Sequence, residues 1–263
     1  MQISHSESDP DGGYPTAAGA AVIPPRTPRR SPSMPAEFPT HGRDILLPLA
    51  FSAVVAAMIR VIWFTPVERL QGMAQKIFYL HVPSAFVGLY FACTLVAISS
   101  LLYLWIRDER LDTMAESAAE VAFMFLTLVL VTGPIWGKPV WGTWWSWDAR
   151  LTLSLFLWFV LLGYMLLRSA VEDRSARARF SAVVGVLAAL LVPFIHMSVY
   201  LFRTLHPQPI ILKPERPSLP NEMLITLLIS FGAFTLVFIA LLRRRYRLGR
   251  MREMIIAAEE DLA

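Results

Sequence analysis

The chain is 263 residues long, 56% hydrophobic and 17% charged, with a mean hydropathy of +0.52. Soluble domains carry about 45–50% apolar and about 25% charged residues, so the departure on both counts excludes an ordinary soluble domain. A lone cysteine, Cys93, excludes an intrachain disulfide and a cysteine-built zinc site. The net charge of +4 lies in segments between apolar runs, which argues against nucleic acid as a partner.

Residues 1–44 hold eight prolines and no apolar periodicity, which predicts a disordered cytoplasmic tail. The first apolar run begins at Ile45 and no small-residue cleavage site follows it, so a signal peptide is not expected. Six apolar stretches follow, at about 45–64, 80–106, 117–135, 151–171, 180–203 and 223–243. Each reaches the roughly 20 helical residues that a hydrocarbon core of about 30 Å requires. They are apolar all round, without strand alternation, and predict an all-α bundle of six transmembrane helices over residues 45–243. Glu116 and Glu120 make the third span the most polar, Pro83 stands near the start of the second, and Pro193 predicts a kink in the fifth. Arg60, inside the first span, is expected to pair within the bundle.

Orientation follows from basic residues. With the N-terminus inside, the inner segments hold sixteen arginines and the outer segments seven lysines and arginines. Both termini are therefore expected in the cytoplasm, with outer loops at about 65–79, 136–150 and 204–222. Residues 244–263, beginning within "RRRYRLGRMR", are expected as a basic cytoplasmic tail lying against anionic lipid.

The outer loop "WGKPVWGTWWSWDAR" contains five of the eight tryptophans: Trp136, Trp141, Trp144, Trp145 and Trp147. An interfacial aromatic belt accounts for one or two tryptophans per helix end. Five in one loop, interleaved with Lys138, Asp148 and Arg150, better suit a platform for a large, flat, apolar ligand with carboxylates on its edge. The preceding "GPIWG" reads as a helix break. His5 and His41 are expected to be solvated. His81, in "FYLHVPSA", and His206, in "RTLHPQP", both fall on the face that carries the tryptophans. Neutral imidazole ligates iron well, and haem iron has two axial positions, so the pair forms a candidate haem site; taken singly, each is more often an interfacial polar residue. His196 lies about 15 Å deeper if the helix is continuous. No second mid-membrane histidine pairs with it, so it is read as a core histidine hydrogen-bonded across helices. With no C-x-x-C-H, the chain does not carry haem attached to itself.

The string "WGKPVWGTWWSWDARLT" resembles the tryptophan-rich WWD signature of the haem-handling proteins of cytochrome c biogenesis. With six spans, "YLHVP" before it and "TLHPQ" after it, residues 45–243 are most similar within that group to the haem exporter C family of the cytochrome c maturation system. The resemblance implies non-covalent haem b held on the periplasmic side of the bacterial inner membrane, with His81 and His206 as axial ligands. Trp136, Trp141, Trp144, Trp145, Trp147 and Asp148 fall on the signature, and Arg150 and Lys76 are the favoured propionate partners. It also implies a periplasmic haem chaperone as acceptor, and an ABC transporter's ATPase and membrane subunits with a small single-span subunit as partners. No G-x-x-x-x-G-K-[ST] occurs, so any ATP use is expected in another subunit. The competing readings are a cytochrome c haem lyase of the wider WWD group, a membrane b-type electron carrier, and an assembly subunit without ligand. Six spans and one deep histidine rank the first two lower.

Overall fold

The computed structural model describes residues 44–208 and 218–262. The N-terminal segment before Asp44, with His5 and His41, lies outside the described residues, as do Lys213 and Arg216. Six helices are long and apolar enough to cross a membrane. They are α1 (Leu46–Phe64), α2 (Met73–Ile106), α3 (Glu109–Trp141), α4 (Ala149–Ala170), α5 (Arg174–Leu201) and α6 (Asn221–Leu262). Among the described residues there is no strand, only an isolated bridge between Glu68 and Gly72.

The six spans fall where the apolar runs place them, but several helices extend well past those runs. An aspartate starts three of them: Asp108, Asp148 and Asp173 accept the backbone N–H of Arg110, Leu151 and Ala176. Each cap satisfies a donor left unpaired in the first turn and places negative charge at the positive end of the helix dipole. Thus α3 begins at Glu109, not near 117, and α5 at Arg174, not near 180. The expected break at "GPIWG" is absent, because α3 runs through Pro134 and Pro139 to Trp141. A proline removes one intrahelical hydrogen bond, and here the surrounding turns hold. Helix α5 is likewise continuous through Pro193. In α2, Pro83 is followed by a π-helical turn, Val87–Ala92.

Helix α3 is central, packing against α2, α4 and α6. Its Ala115, Ala118, Ala119 and Ala122 are buried, and small side chains allow helices to approach closely where lipid surrounds them. The main core joins Val96, Phe125, Leu157, Leu161, Tyr164, Ile195 and Phe234. Trp105, Phe156, Leu190 and Phe194 stand exposed on the outside, as expected of faces solvated by lipid. Arg60 does pair within the bundle, its Nε donating to Thr226 Oγ1 at 3.2 Å.

At the bundle end away from the tryptophan loop, Arg168 Nη1 and Nη2 donate to Asp112 Oδ1 and Oδ2 at 2.6 and 2.9 Å. The same Nη2 reaches Glu116 Oε2 at 2.9 Å. Residues 244–262, set apart above as a tail, continue α6 as helix. They dock on the start of α3 through Arg245–Glu120 and Thr113–Glu253.

Candidate functional site

The tryptophan segment is half helix and half loop. Trp136 and Trp141 ride the last turns of α3, which ends at Gly142 with φ +75°, a conformation favouring glycine. The Gly142 N–H donates to the Lys138 carbonyl at 3.0 Å, and Lys138 Nζ folds back to the Gly142 carbonyl at 2.9 Å. Residues 142–148 then carry Trp144, Trp145 and Trp147 to α4. Asp148 closes this loop. Besides capping α4 at Leu151 N (3.0 Å), it accepts from Ser146 Oγ (3.1 Å) and from Leu205 N (3.3 Å). One carboxylate thereby ties the tryptophan loop to the segment bearing His206. Burial pushes the Asp148 carboxyl up, but hydrogen bonds from Leu151, Thr204, Ser146 and Leu205 outweigh it and hold it below its ordinary range. It is a charged clamp, and it does not line the cleft described below.

His81 is buried rather than placed at a helix mouth, because α2 starts at Met73 and carries it more than two turns inward. Its Nδ1 lies 2.9 Å from Thr132 Oγ1, and that hydroxyl donates to the Leu128 carbonyl at 2.7 Å. A hydroxyl has one proton. With it directed at Leu128, His81 Nδ1 is the donor and Nε2 keeps a free lone pair. His206 reaches the same state independently. Its Nδ1 lies 2.9 Å from the Pro207 carbonyl, which can only accept, so Nδ1 carries the proton and Nε2 is again open. Burial first, and the Arg150 guanidinium second, hold the His206 pKa down to about 3, so the ring is neutral near pH 7.

Two adjoining clefts, of about 720 and 770 Å³ including their open mouths, are both lined by His81, Trp136, Arg150 and His206. Trp141, Trp144 and Trp145 line the second. The Trp136 indole meets His81 edge-on at 5.7 Å, and Trp141 stands 6.5 Å from His206. Arg150 Nη1 and Trp145 Nε1 are buried without a hydrogen-bond partner among the described residues. The structure therefore brings together both histidines, Arg150 and four of the five tryptophans. It does not bring in Trp147, which is exposed and packs against Trp145 at 5.7 Å. Nor does it bring in Lys76, whose Nζ donates to the Val61 carbonyl at 2.7 Å and to that of Thr65, at the unsatisfied end of α1.

The residue pattern alone missed three supports. Thr132 sets the His81 tautomer. Gln71 Oε1 accepts the Trp136 Nε1–H at 3.0 Å. Gly133 lets His81 approach, since a Cβ there would lie 3.3 Å from its Cε1. Gly133 opens the "GPIWG" read above as a break, Thr132 precedes it and Gln71 lies in a different loop, so no local motif marks their part in the site. His196 is hydrogen-bonded across helices, its Nδ1 2.7 Å from the Tyr90 hydroxyl.

Among the described residues, no cluster of three or more His, Cys, Asp or Glu side chains suits a bare metal ion. Two open imidazoles in an apolar, indole-lined cleft suit a metal that arrives with its remaining ligands in place.

Residues 30–261 match the family model described as "Heme exporter protein C". The chain is 37% identical over 209 residues to "Heme exporter protein C" of Haemophilus influenzae, covering 78% of this chain and 84% of that protein. It is 39% identical over 197 residues to the protein of the same description from Bradyrhizobium diazoefficiens, covering 72% and 74%. A putative cytochrome c biosynthesis ccmC-like mitochondrial protein of Marchantia polymorpha is 34% identical over 191 residues, covering 73% and 80%.

Proposed function

The chain belongs to the haem exporter protein C family, and from that premise we propose that it is a membrane carrier that holds haem b between His81 and His206 and passes it to a periplasmic haem chaperone. A haem-related role in cytochrome c biogenesis follows from the family. The observation that carries the finer reading is the convergence of two imidazoles, remote in sequence, on one cleft, with neither Nε2 engaged among the described residues. A hydrogen bond from the far ring nitrogen that fixes the tautomer in this way is typical of histidines that bind metal.

The cleft fits the rest of the group. Trp136, Trp141, Trp144 and Trp145 provide indole surface for a flat macrocycle. Arg150, with Nη1 unpartnered, offers a cation to a propionate. Lys76, tied to α1, we assign to holding that helix end rather than the ligand. Asp148 acts on the site by holding two loops together.

The surplus of arginine in the segments assigned inside supports placing this cleft on the periplasmic side of the bacterial inner membrane. Partners are proposed as the ATPase and membrane subunits of an ABC transporter and a small single-span subunit. ATP hydrolysis would belong to them, as this sequence has no phosphate-binding loop motif. Handing haem on requires no bond to be made by this chain, so it is read as a carrier and not a lyase.

Titrating the protein in lipid nanodiscs with haem tests the proposal. One haem per chain and a low-spin spectrum with two nitrogen axial ligands are expected. A spectrum lacking them, or no uptake, would overturn it. Gly133→Val, which forces a side chain against the His81 ring, is expected to convert the spectrum to high spin while the protein stays folded. An unchanged spectrum would show that His81 does not depend on that close approach.

A further inference from the structure

One polar pair beside the cleft has no part in the function above. Tyr90 lies on the π turn of α2 and lines the same cleft as His81, Arg150 and His206. Its ring rests on Phe86, with centroids 5.0 Å apart, and its hydroxyl is 2.7 Å from Nδ1 of His196 on α5. The His196 ring is held between Tyr90 and Tyr200, at 6.0 and 6.1 Å. His196 does not line the cleft, so any influence on a ligand passes through the tyrosine.

Proton counting gives the pair a role. A phenol has one proton and accepts through its lone pairs, whereas neutral imidazole donates from one nitrogen only. When His196 carries its proton on Nδ1, it donates to the Tyr90 oxygen. The phenolic proton is then free to be donated into the cleft. Around Tyr90 the cleft is lined by Val82, Ala85, Phe86, Leu89 and Phe231, and besides the two histidines its other polar side chains are Arg150 and Gln208. A phenol and a guanidinium lining one cleft select an anionic acceptor, and a carboxylate can pair with both.

We propose that Tyr90, oriented by His196, is the second carboxylate-binding group of the cleft, donating its phenolic proton to a propionate while Arg150 supplies the charge. This rests on the haem reading. Tyr90 is the binding residue, and His196 is a positioning residue acting through it. The pair would distinguish a porphyrin with free carboxylates from one without.

The test compares haem with its dimethyl ester, using wild-type protein, Tyr90→Phe, His196→Ala and His196→Gln in nanodiscs. Loss of a hydrogen bond to a charged group is expected to weaken haem binding about tenfold in Tyr90→Phe, with ester binding and the Soret position of bound haem unchanged. His196→Ala should show the same selective loss. His196→Gln, which restores an N–H donor, should recover most of it. Equal weakening of both ligands in Tyr90→Phe would assign the tyrosine to packing and overturn the proposal. No weakening, or a wild type indifferent to esterification, would overturn it while leaving iron ligation by His81 and His206 standing. Failure of the wild type to bind either porphyrin would remove the haem reading itself, and this inference with it.

Discussion

Replacing both His81 and His206 by alanine is expected to abolish low-spin haem binding, and each single replacement to leave a five-coordinate, high-spin species that dissociates readily. Loss of a supporting hydrogen bond to a metal ligand costs roughly 10–100-fold in affinity, so loss of the ligand itself should cost more. Thr132→Val supplies the graded control. It keeps the His81 imidazole but removes the acceptor at 2.9 Å that holds the proton on Nδ1. Its cost should fall in that roughly 10–100-fold range, with Thr132→Ser close to wild type. Absorption spectra and haem content of the purified variants decide the matter. Unchanged spectra in both histidine variants would remove them as ligands. His206 also carries a pH signature. Its pKa is lowered from 6.5 to about 3, so between those values the unfolded segment binds a proton that the folded one does not. Order in residues 202–208 should therefore weaken as pH falls through that window. Proteolysis of the segment should become more acid-sensitive below pH 6.5 in the wild type, and His206→Ala should flatten that dependence.

The spans were legible because lipid leaves so few alternatives: a backbone without water must close its own hydrogen bonds, and long uniformly apolar runs do so as helices. Their ends were not legible in the same way. Hydropathy marks where lipid stops, whereas Asp108 and Asp173 mark where the helices start, in water, outside the apolar run. Helix α2 also starts ahead of its apolar run, with a 3-10 turn from Met73 and no side-chain cap, and this places His81 in the interior and not at a helix mouth. Composition drew attention to the tryptophans, but not to which of them share a cleft. Gly142 rather than Gly137 takes the positive φ, so Trp136 and Trp141 are helical and face the histidines, while Trp147 turns outward. Lys76 looked available because it stands five residues from His81, yet the open carbonyls of α1 are nearer to its ammonium. Thr132 is one of three threonines in α3, and only the fold shows that its hydroxyl meets an imidazole.

Arg168→Met is expected to destabilise the bundle by about 3–5 kcal/mol, the cost of breaking a buried ion pair by removing one partner. The Arg168 and Asp112 side chains are 8% and 12% exposed, and their contact is bidentate, at 2.6 and 2.9 Å. Removing the guanidinium strands Asp112 away from water and leaves Glu116 without its 2.9 Å partner. The loss of attraction is the smaller part; most of the cost is the uncompensated carboxylate, which must hydrate or take up a proton. Asp112→Asn should cost less, because Glu116 still pairs with the arginine. The double variant Arg168→Met, Asp112→Leu should fall well short of the sum of its parts, since no buried charge then lacks a partner except the more exposed Glu116. Asp112 and Thr132 stand twenty positions apart on α3, about 30 Å at the rise of an α-helix. The haem spectrum of the folded fraction should therefore be unaltered. Unfolding midpoints in nanodiscs test the pair, and a midpoint for Arg168→Met equal to wild type would show that water reaches Asp112 and that the contact stabilises little.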